Sequence, residues 1–231
     1  MTHDRMSTVW PAAGAIARSG GIELRWIDDE LALDLAEVAI GGIHPPEEMP
    51  FNTPWTRGTP TEITRSVLYW IWTLRGTPMR TDFHMPFGVI VDGKPAGIQG
   101  LQAPNWPAVR EIETSSWIGK DFQGRGIGTR MRIIALHAAF VGLGADDVRS
   151  GAFIDNPASN RVSEKTGYEP DGIDREFRDG RERTAQRYRI TRAKWEAMQP
   201  EYSRLLGEPV ELIGYDLLRA QLDANRPETN P

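Results

Sequence analysis

A glycine-rich turn between a predicted strand and a predicted helix constrains this chain more than any other feature. Gly124, Gly126 and Gly128 alternate with other residues directly before an apolar helical pattern. Residues 111–118, just upstream, are rich in β-branched and aromatic side chains, which predicts a strand. Glycine adopts positive φ and has no Cβ, so such a turn can direct several backbone N–H groups to one side. Because the start of a helix adds unpaired N–H groups and partial positive charge, the segment predicts a phosphate site.

Two well-known phosphate loops do not fit this turn. A P-loop requires Lys followed by Ser or Thr after its last glycine, whereas Thr129 and Arg130 follow here. The dinucleotide-binding fingerprint requires the spacing G-x-G-x-x-G, and this chain has G-x-G-x-G. The helix itself is strongly predicted, because apolar residues recur at helical spacing from Ile127 to Val141. On this motif alone, an ordinary turn that caps a buried helix stays open as an alternative.

A second motif lies about thirty residues further along the chain, where residues 148–154 predict a short strand. Asn156 and Pro157 begin a predicted helix, since asparagine caps helices well and proline suits their first turn. Gly167 is expected to end that helix in the left-handed conformation, with Tyr168 opening the next strand.

Both motifs resemble signatures of the GCN5-related N-acetyltransferases (GNAT), which bind acyl-coenzyme A (acyl-CoA). The pattern Gln123-x-x-Gly126-x-Gly128 resembles the pyrophosphate loop of that family. Residues 156–168, NPASNRVSEKTGY, resemble its other signature, N-x-x-S-x-x-x-x-E-K-x-G-[FY]. Since the two stretches occur in the family's order and at its usual separation, the resemblance is much more specific than either stretch alone.

Composition excludes several other classes of function. The net charge of −5 leaves no basic stripe for nucleic acid. With no cysteine, the chain has no disulfide, thiolate nucleophile or Cys-ligated zinc, and its four histidines lack ligand spacing, so we expect no metal. His137, inside the apolar helix, is interpreted as a packed core residue. No apolar run is long enough for a membrane span and no signal peptide is recognisable, so a cytoplasmic protein is expected.

The resemblance implies an α/β fold of the α+β kind. It has a central mixed, mostly antiparallel sheet that is splayed at the acyl-CoA site and carries helices on both faces. The predicted element order β-α-α-β-β-β-α-β-α-β-β agrees with it. We expect a flexible arm over residues 1–20 and the acyltransferase domain over residues 21–195. Residues 196–231 are expected to form an extension, with one strand and one helix, that packs on the domain and is disordered at its end.

The resemblance also implies which residues hold the donor. Backbone N–H groups of Trp117 and Ile118 would bond the pantetheine and polarise the thioester carbonyl. Asn156 would face the pantetheine arm. The pyrophosphate would lie against Gln123, Gly124, Arg125, Gly126, Gly128 and Thr129.

The candidate catalytic residues are Glu113 and Ser159. Glu113 would accept the proton of the amine directly or through water, by similarity to the strand glutamate of the RimJ/RimL-like branch. The alternative for Glu113 is a surface carboxylate on a strand, where Glu111 shares its face. The family's usual acid is a tyrosine, but Ser163 stands at that position, which moves the prediction to Ser159. Its hydroxyl would assist the departing thiolate, or would merely bond backbone in the first helical turn.

The irregular segment 43–60 is the candidate acceptor site. Its five prolines forbid a continuous helix, and long exposed loops often carry function. His44, Met49, Phe51 and Trp55 could line a pocket for the acceptor. The alternative is a rigid connector whose aromatic residues pack on the core.

Two further stretches narrow the resemblance. Residues 113–119 together with Ser159 resemble the RimJ/RimL-like branch, which acetylates ribosomal-protein N-termini. Residues 49–57 together with 155–159 resemble a mycobacterial GNAT member described as a succinyl-CoA-dependent transferase. The acyl group that the resemblance implies is therefore acetyl, with succinyl as an alternative.

The implied function is N-acyl transfer from acetyl-CoA or succinyl-CoA to a primary amine by direct attack in a ternary complex. The acceptor is a protein N-terminus, a lysine or a small amine, and no nucleic acid or membrane partner is expected. A lysine or amine succinyltransferase and a non-catalytic acyl-CoA-binding sensor are the alternatives. Homodimer formation stays open.

Overall fold

The computed structural model of this chain describes residues 2–77 and 81–224. Within them the helices are α1 (Thr2–Val9), α2 (Asp29–Ile40), α3 (Pro60–Gly76), α4 (Ile127–His137), α5 (Pro157–Lys165), α6 (Arg192–Ala197), α7 (Gln199–Leu206) and α8 (Tyr215–Ala224). The strands of the same part are β1 (Ile16–Ser19), β2 (Ile22–Trp26), β3 (Phe83–Val91), β4 (Lys94–Ala103), β5 (Glu111–Ile118), β6 (Asp147–Phe153), β7 (Glu169–Arg178), β8 (Arg181–Thr191) and β9 (Glu211–Ile213).

These strands form one sheet in the order β7-β8-β6-β5-β4-β3-β2-β1-β9. Neighbouring strands are antiparallel except β5 and β6, which run parallel. One buried cluster joins the sheet to α4, α7 and α8, and a second joins its other face to α2 and α3. The expected fold class, a mostly antiparallel sheet with helices on both faces, is therefore confirmed. Among the described helices, none combines the length and apolar character that crossing a lipid bilayer requires.

The helices α2 and α3 begin at capping residues that can be recognised in the sequence. Asp28 Oδ1 accepts the N–H of Leu31 at 2.9 Å and so caps α2. α3 begins at Pro60, one residue before the predicted start. There Thr59 and Glu62 form a capping box in which each side chain accepts the backbone N–H of the other.

Two tight hairpins turn at Asp-Gly pairs, which are a strong local signal for such turns. Asp92 and Gly93, between β3 and β4, have φ of 48° and 78°, and Asp179 and Gly180, between β7 and β8, have φ of 51° and 76°. Both central residues of such a turn need positive φ, and its twist matches that of the flanking strands. The hairpins fix the register of four of the sheet's strands.

The N-terminal segment differs from the loose arm that we expected over residues 1–20. Residues 16–19 form β1, which pairs with β2 on one side and β9 on the other. Gly20 and Gly21, at the end of the expected arm, have φ of 53° and 76° and form the hairpin turn between β1 and β2. Ala15 and Ala17 are fully buried there, so the strand is stabilised by packing rather than by β propensity.

The C-terminal segment packs against the sheet through β9 and α8, where one strand and one helix were predicted. β9 pairs with β1, so the sheet continues across both expected boundaries, at residues 20/21 and 195/196. Arg110 Nη2 contacts Asp223 at 2.8 Å and joins α8 to the start of β5. α7 was not predicted. The expected disorder at residues 226–231 lies outside the described residues.

Candidate active site

The sheet opens between β5 and β6. β5 pairs with β4 as far as Ile118, but with β6 only as far as the pair Thr114–Ser150. Beyond that pair β6 continues against β8, so no described strand pairs with residues 115–118 on the β6 side. The splay that the resemblance implies is therefore present, as a V-shaped opening whose floor is the Thr114–Ser150 pair.

The backbone groups that face this opening belong to Ser116 and Ile118. Gly119 N–H donates to the Ala96 carbonyl at 2.8 Å, which fixes the alternation of hydrogen-bonded pairs between β4 and β5. Because Trp117 lies two residues earlier, its backbone pairs with β4, while Ser116 and Ile118 point the other way. The backbone groups of Ser116 and Ile118 therefore face the opening, whereas those of Trp117, which we expected to face it, pair with β4.

The glycine-rich turn presents a set of free donors. Gly124 and Gly126 have φ of 72° and 74°, and Gly126 is the N-cap of α4. In the described part of the chain, the N–H groups of residues 124–126 donate to no backbone acceptor. Those in the first turn of α4 have no intrahelical partner. No acidic side chain lies in that turn, so the partial positive charge of the helix end is uncompensated and suits a diphosphate.

Gln123 holds the turn in place rather than offering free donors. Its backbone N–H donates to the Lys120 carbonyl at 3.1 Å. Its side-chain Nε2 donates to the carbonyls of Ile118, at 2.9 Å, and Ile43, at 2.6 Å. These bonds occupy the donors that were expected to bind pyrophosphate, so Gln123 is a positioning residue that joins the turn to the loop after α2.

A cavity of about 1080 Å³ connects the turn, the opening and the loop after α2. The predicted site residues that line it are Glu113, Trp117, Ile118, Gln123, Gly124, Gly126, Gly128, Thr129, Asn156, Ser159, His44, Phe51 and Trp55. Two predicted residues lie elsewhere. Arg125 is exposed, with its guanidinium 5.9 Å from the Phe122 ring. Met49 is only 5% exposed, because the loop packs this apolar side chain inward.

Aromatic side chains form the wall on the acceptor side. The rings of His44, Phe51, Trp55 and Trp117 follow one another at centroid distances of 5.8, 5.1 and 5.8 Å. His44 Nε2 also contacts Thr56 Oγ1 at 2.7 Å, which fixes its ring. Phe51 and Trp55 line the cavity and also pack against the buried cluster of α2 and α3, so the structure shows both arrangements that the sequence left open.

The same loop is tied to the β7–β8 hairpin. Asn52 Nδ2 donates to Glu176 Oε2 at 2.6 Å. Arg57 makes a two-pronged contact with Asp179, at 2.8 and 3.2 Å. These exposed contacts stabilise only weakly, but they connect the two sides of the cavity mouth.

Glu113 lies on the acceptor face of β5. Strand alternation places Glu113, Ser115 and Trp117 on that face and Thr114 and Ser116 on the other. Gln102, opposite on β4, donates from Nε2 to Glu113 Oε2 at 2.8 Å. This hydrogen bond orients the exposed Glu113 carboxylate at the cavity wall. It uses Oε2, so Gln102 does not occupy Oε1.

The second motif places its polar residues as α5 begins. Asn156 Oδ1 accepts the N–H of Ser159 at 3.1 Å, as a helix cap does, and both residues line the cavity. Ser163, at the position of the family's tyrosine, is fully buried and contacts Ser150 Oγ at 3.4 Å. Its hydroxyl therefore faces the protein interior.

An ion pair between a buried arginine and an exposed aspartate fixes the turn before α5. Arg178 is 5% exposed, and its guanidinium donates to both carboxylate oxygens of Asp155, at 2.9 and 2.5 Å. The same guanidinium lies 4.1 Å from the centroid of the Phe153 ring. Hydrogen bonding from Arg178 lowers the pKa of Asp155. The pair holds the chain just before Asn156 and so fixes where α5 begins.

Replacing Asp155 with Asn is expected to lower the free energy of unfolding at pH 7 by about 1 kcal/mol, a modest loss because the carboxylate is partly exposed. The pKa of Asp155 is lower folded than unfolded, so its contribution is complete above about pH 4 and is lost as the pH falls through the folded pKa. Thermal melts from pH 7 to pH 3 should show the deficit shrinking with acid. Asp174→Asn, in an exposed pair with Arg187, is the control, and an equal deficit at every pH would contradict the assignment.

One residue at the site was missed by reasoning from sequence. Arg132 on α4 is 3% exposed, lines the cavity and donates to the hydroxyls of Thr114, Ser116 and Ser150. The available signal was an arginine in the apolar run after Met131, together with hydroxyl residues at alternate positions of β5.

A family model described as an acetyltransferase (GNAT) domain matches residues 22–169, more than half of the chain. The chain belongs to the GNAT family. The match ends as β7 begins, so β1, β8, β9 and nearly all of β7 of this GNAT protein lie outside it, although these strands belong to the same sheet.

Solved structures share the GNAT fold at low sequence identity. A GCN5-related N-acetyltransferase from Brucella melitensis is 22% identical, with a TM-score of 0.67 over 82% of this chain and 84% of that one. Mycobacterium smegmatis RimJ, in complex with CoA-disulfide, is 17% identical, with a TM-score of 0.64 over 85% and 95%. RimL, a ribosomal L7/L12 α-N-protein acetyltransferase, in complex with coenzyme A, is 18% identical, with a TM-score of 0.58 over 75% and 95%. The resemblance to RimJ/RimL-like proteins is thus supported by shared fold.

Proposed function

We propose that this GNAT protein transfers an acyl group from acyl-CoA to a primary amine within a ternary complex. The observation that carries the proposal is the single cavity that joins three features: the free amides at the start of α4, the opening between β5 and β6, and the face that carries Glu113. A diphosphate at the helix start would direct the pantetheine into the opening. An amine approaching along the aromatic wall would then meet the thioester beside Glu113.

The residues on the cavity wall suit each step of direct transfer. Glu113 accepts a proton from the ammonium form of the acceptor, directly or through water, which leaves a neutral nucleophile. As the amine nitrogen bonds to the thioester carbon, backbone N–H groups of Ser116 and Ile118 stabilise the oxyanion. The carbon–sulfur bond then breaks, and CoA leaves as a thiolate. Its proton comes from the amine, relayed by Ser159 or water.

The acyl group and the acceptor are finer parts of the same proposal. Acetyl is the family's usual acyl group, and succinyl is the alternative that residues 49–57 and 155–159 support by resemblance. The acceptor is a protein N-terminus, a lysine or a small amine. The half-buried aromatic wall suits an acceptor that brings an apolar group next to its amine.

The test measures free thiol when the protein is mixed with acetyl-CoA or succinyl-CoA and a set of amines and N-terminal peptides. Thiol release that depends on both protein and amine, with the acylated amine identified by mass, is the expected result. Donor binding without thiol release across the whole set would contradict transfer and would favour the acyl-CoA sensor, to which the buried Ser163 in place of tyrosine also points.

A further inference from the structure

A buried arginine forms the floor of the opening between β5 and β6. The Arg132 guanidinium donates from Nη1 to Thr114 Oγ1 at 3.0 Å and to Ser150 Oγ at 2.9 Å. It donates from Nη2 to Ser116 Oγ at 3.0 Å. Thr114 and Ser150 are the last paired residues before the strands separate. The positive charge therefore lies at the inner end of the opening, opposite the end where α4 begins.

No carboxylate of the described residues hydrogen-bonds to this guanidinium. It contacts the neutral hydroxyls of Thr114, Ser116 and Ser150, and it interacts with Tyr168 through the phenol hydroxyl and through the ring, 5.9 Å away. Its Nε has no acceptor among the described residues. Arg178, which is equally buried, has the Asp155 carboxylate. An arginine stays protonated in proteins, and a buried charge is normally paired. Within residues 2–77 and 81–224, a buried cation therefore lies beside the cavity without a carboxylate hydrogen-bonded to it.

We propose that Arg132 is a specificity-determining residue that binds a carboxylate at the far end of the donor's acyl group. This inference rests on the proposed function, since it takes the opening to hold the acyl end of acyl-CoA. The preferred donor is then a CoA thioester of a dicarboxylic acid. The planar guanidinium matches a carboxylate in two hydrogen bonds, and the three hydroxyls hold its plane.

A neutral acyl group fits this floor less well. The methyl end of an acetyl or butyryl group would cover the cation without pairing it, which adds a desolvation cost. A carboxylate would supply the negative charge that pairs with the Arg132 guanidinium, although the carboxylate must lose its own hydration. Such charge-assisted hydrogen bonds are expected to make the carboxylate-bearing donor bind roughly 100-fold more tightly than a neutral donor.

Calorimetry without any acceptor tests the inference on the full chain, with CoA, acetyl-CoA, butyryl-CoA and succinyl-CoA as probes. Butyryl is a neutral match for succinyl in length, so the wild-type protein alone gives a result. We expect succinyl-CoA to bind about 100-fold more tightly than butyryl-CoA. In Arg132→Met this preference should disappear, while affinities for CoA and acetyl-CoA change less than about threefold. Arg192→Met, which removes a partly buried arginine that donates to the Phe140 and Ala145 carbonyls outside the cavity lining, should lower the melting temperature and keep the preference.

Equal binding of succinyl-CoA and butyryl-CoA by the wild-type protein would overturn the inference. So would an Arg132→Met protein in which all four probes weaken by the same factor, because that result describes a structural link between α4 and the strands. The two experiments distinguish failure of the proposed transfer reaction from failure of the proposed role of Arg132. Thiol release without a preference among donors keeps amine acylation and removes the role of Arg132. Selective binding of succinyl-CoA without thiol release keeps that role and removes the transfer.

Discussion

Replacing Gly126 with valine is expected to abolish binding of the acyl donor, with the dissociation constant of CoA rising at least about 100-fold. Gly126 has φ of 74°, a left-handed conformation that β-branched residues rarely adopt. A Cβ at this position meets no atom within 4 Å, so the expected damage comes from backbone conformation and not from a clash. To relieve the strain, the turn must rotate the amides that face the diphosphate, each of which makes a charge-assisted bond. Calorimetry with CoA measures the effect directly.

Gly207 provides the matched control. It has φ of 76°, a Cβ there also meets no atom within 4 Å, and it follows α7 outside the cavity lining. Gly207→Val should therefore lower the melting temperature by a similar amount while CoA affinity stays at the wild-type value. If Gly126→Val bound CoA with full affinity, the glycine-rich turn would be a simple chain reversal and not the donor site.

Replacing Glu113 with glutamine is expected to lower kcat about 100-fold at neutral pH, the usual contribution of a general base. The glutamine has the same shape and can still bond Gln102, so donor affinity should stay within about twofold. The pH–rate profile of the variant should also differ from that of the wild-type protein. Steady-state kinetics across pH, with CoA binding measured beside them, separate these effects.

Glu111→Gln is the control for that variant. Glu111 lies two residues earlier on the same face of β5, but it contacts Arg149 at 2.7 Å and lies outside the cavity lining. Glu111→Gln should therefore leave both kcat and the pH–rate profile at their wild-type values. An unchanged pH–rate profile in Glu113→Gln would remove Glu113 from the mechanism and leave a strand carboxylate bonded to Gln102.

Much of the fold could be predicted because its signals are local. The Asp92–Gly93 and Asp179–Gly180 turns require positive φ at adjacent residues, and the caps at Asp28 and Asn156 satisfy helix N–H groups a few residues away. The glycine-rich turn likewise combines strand, turn and helix signals within one short segment.

The residues that could not be predicted depend on contacts between distant parts of the chain. β1 and β9 are nearly two hundred residues apart, and β1 contains alanine where strands usually have β-branched residues. The strand separation that exposes Ser116 instead of Trp117 follows from register, which side-chain patterns do not report. Arg132 appears in the sequence as an interruption of an apolar face. Its environment depends on hydroxyl groups of β5 and β6, which accept hydrogen bonds from it only in the folded protein.

The central claim is that the amides between Gly124 and Gly128 bind the diphosphate of CoA and direct the thioester into the opening between β5 and β6. A crystal structure of the protein with CoA tests it most directly. We expect diphosphate oxygens within hydrogen-bond distance of the backbone nitrogens of Gly124, Gly126 and Gly128, and a pantetheine arm that runs along residues 115–118. CoA bound at another surface, with this turn left empty, would contradict the claim.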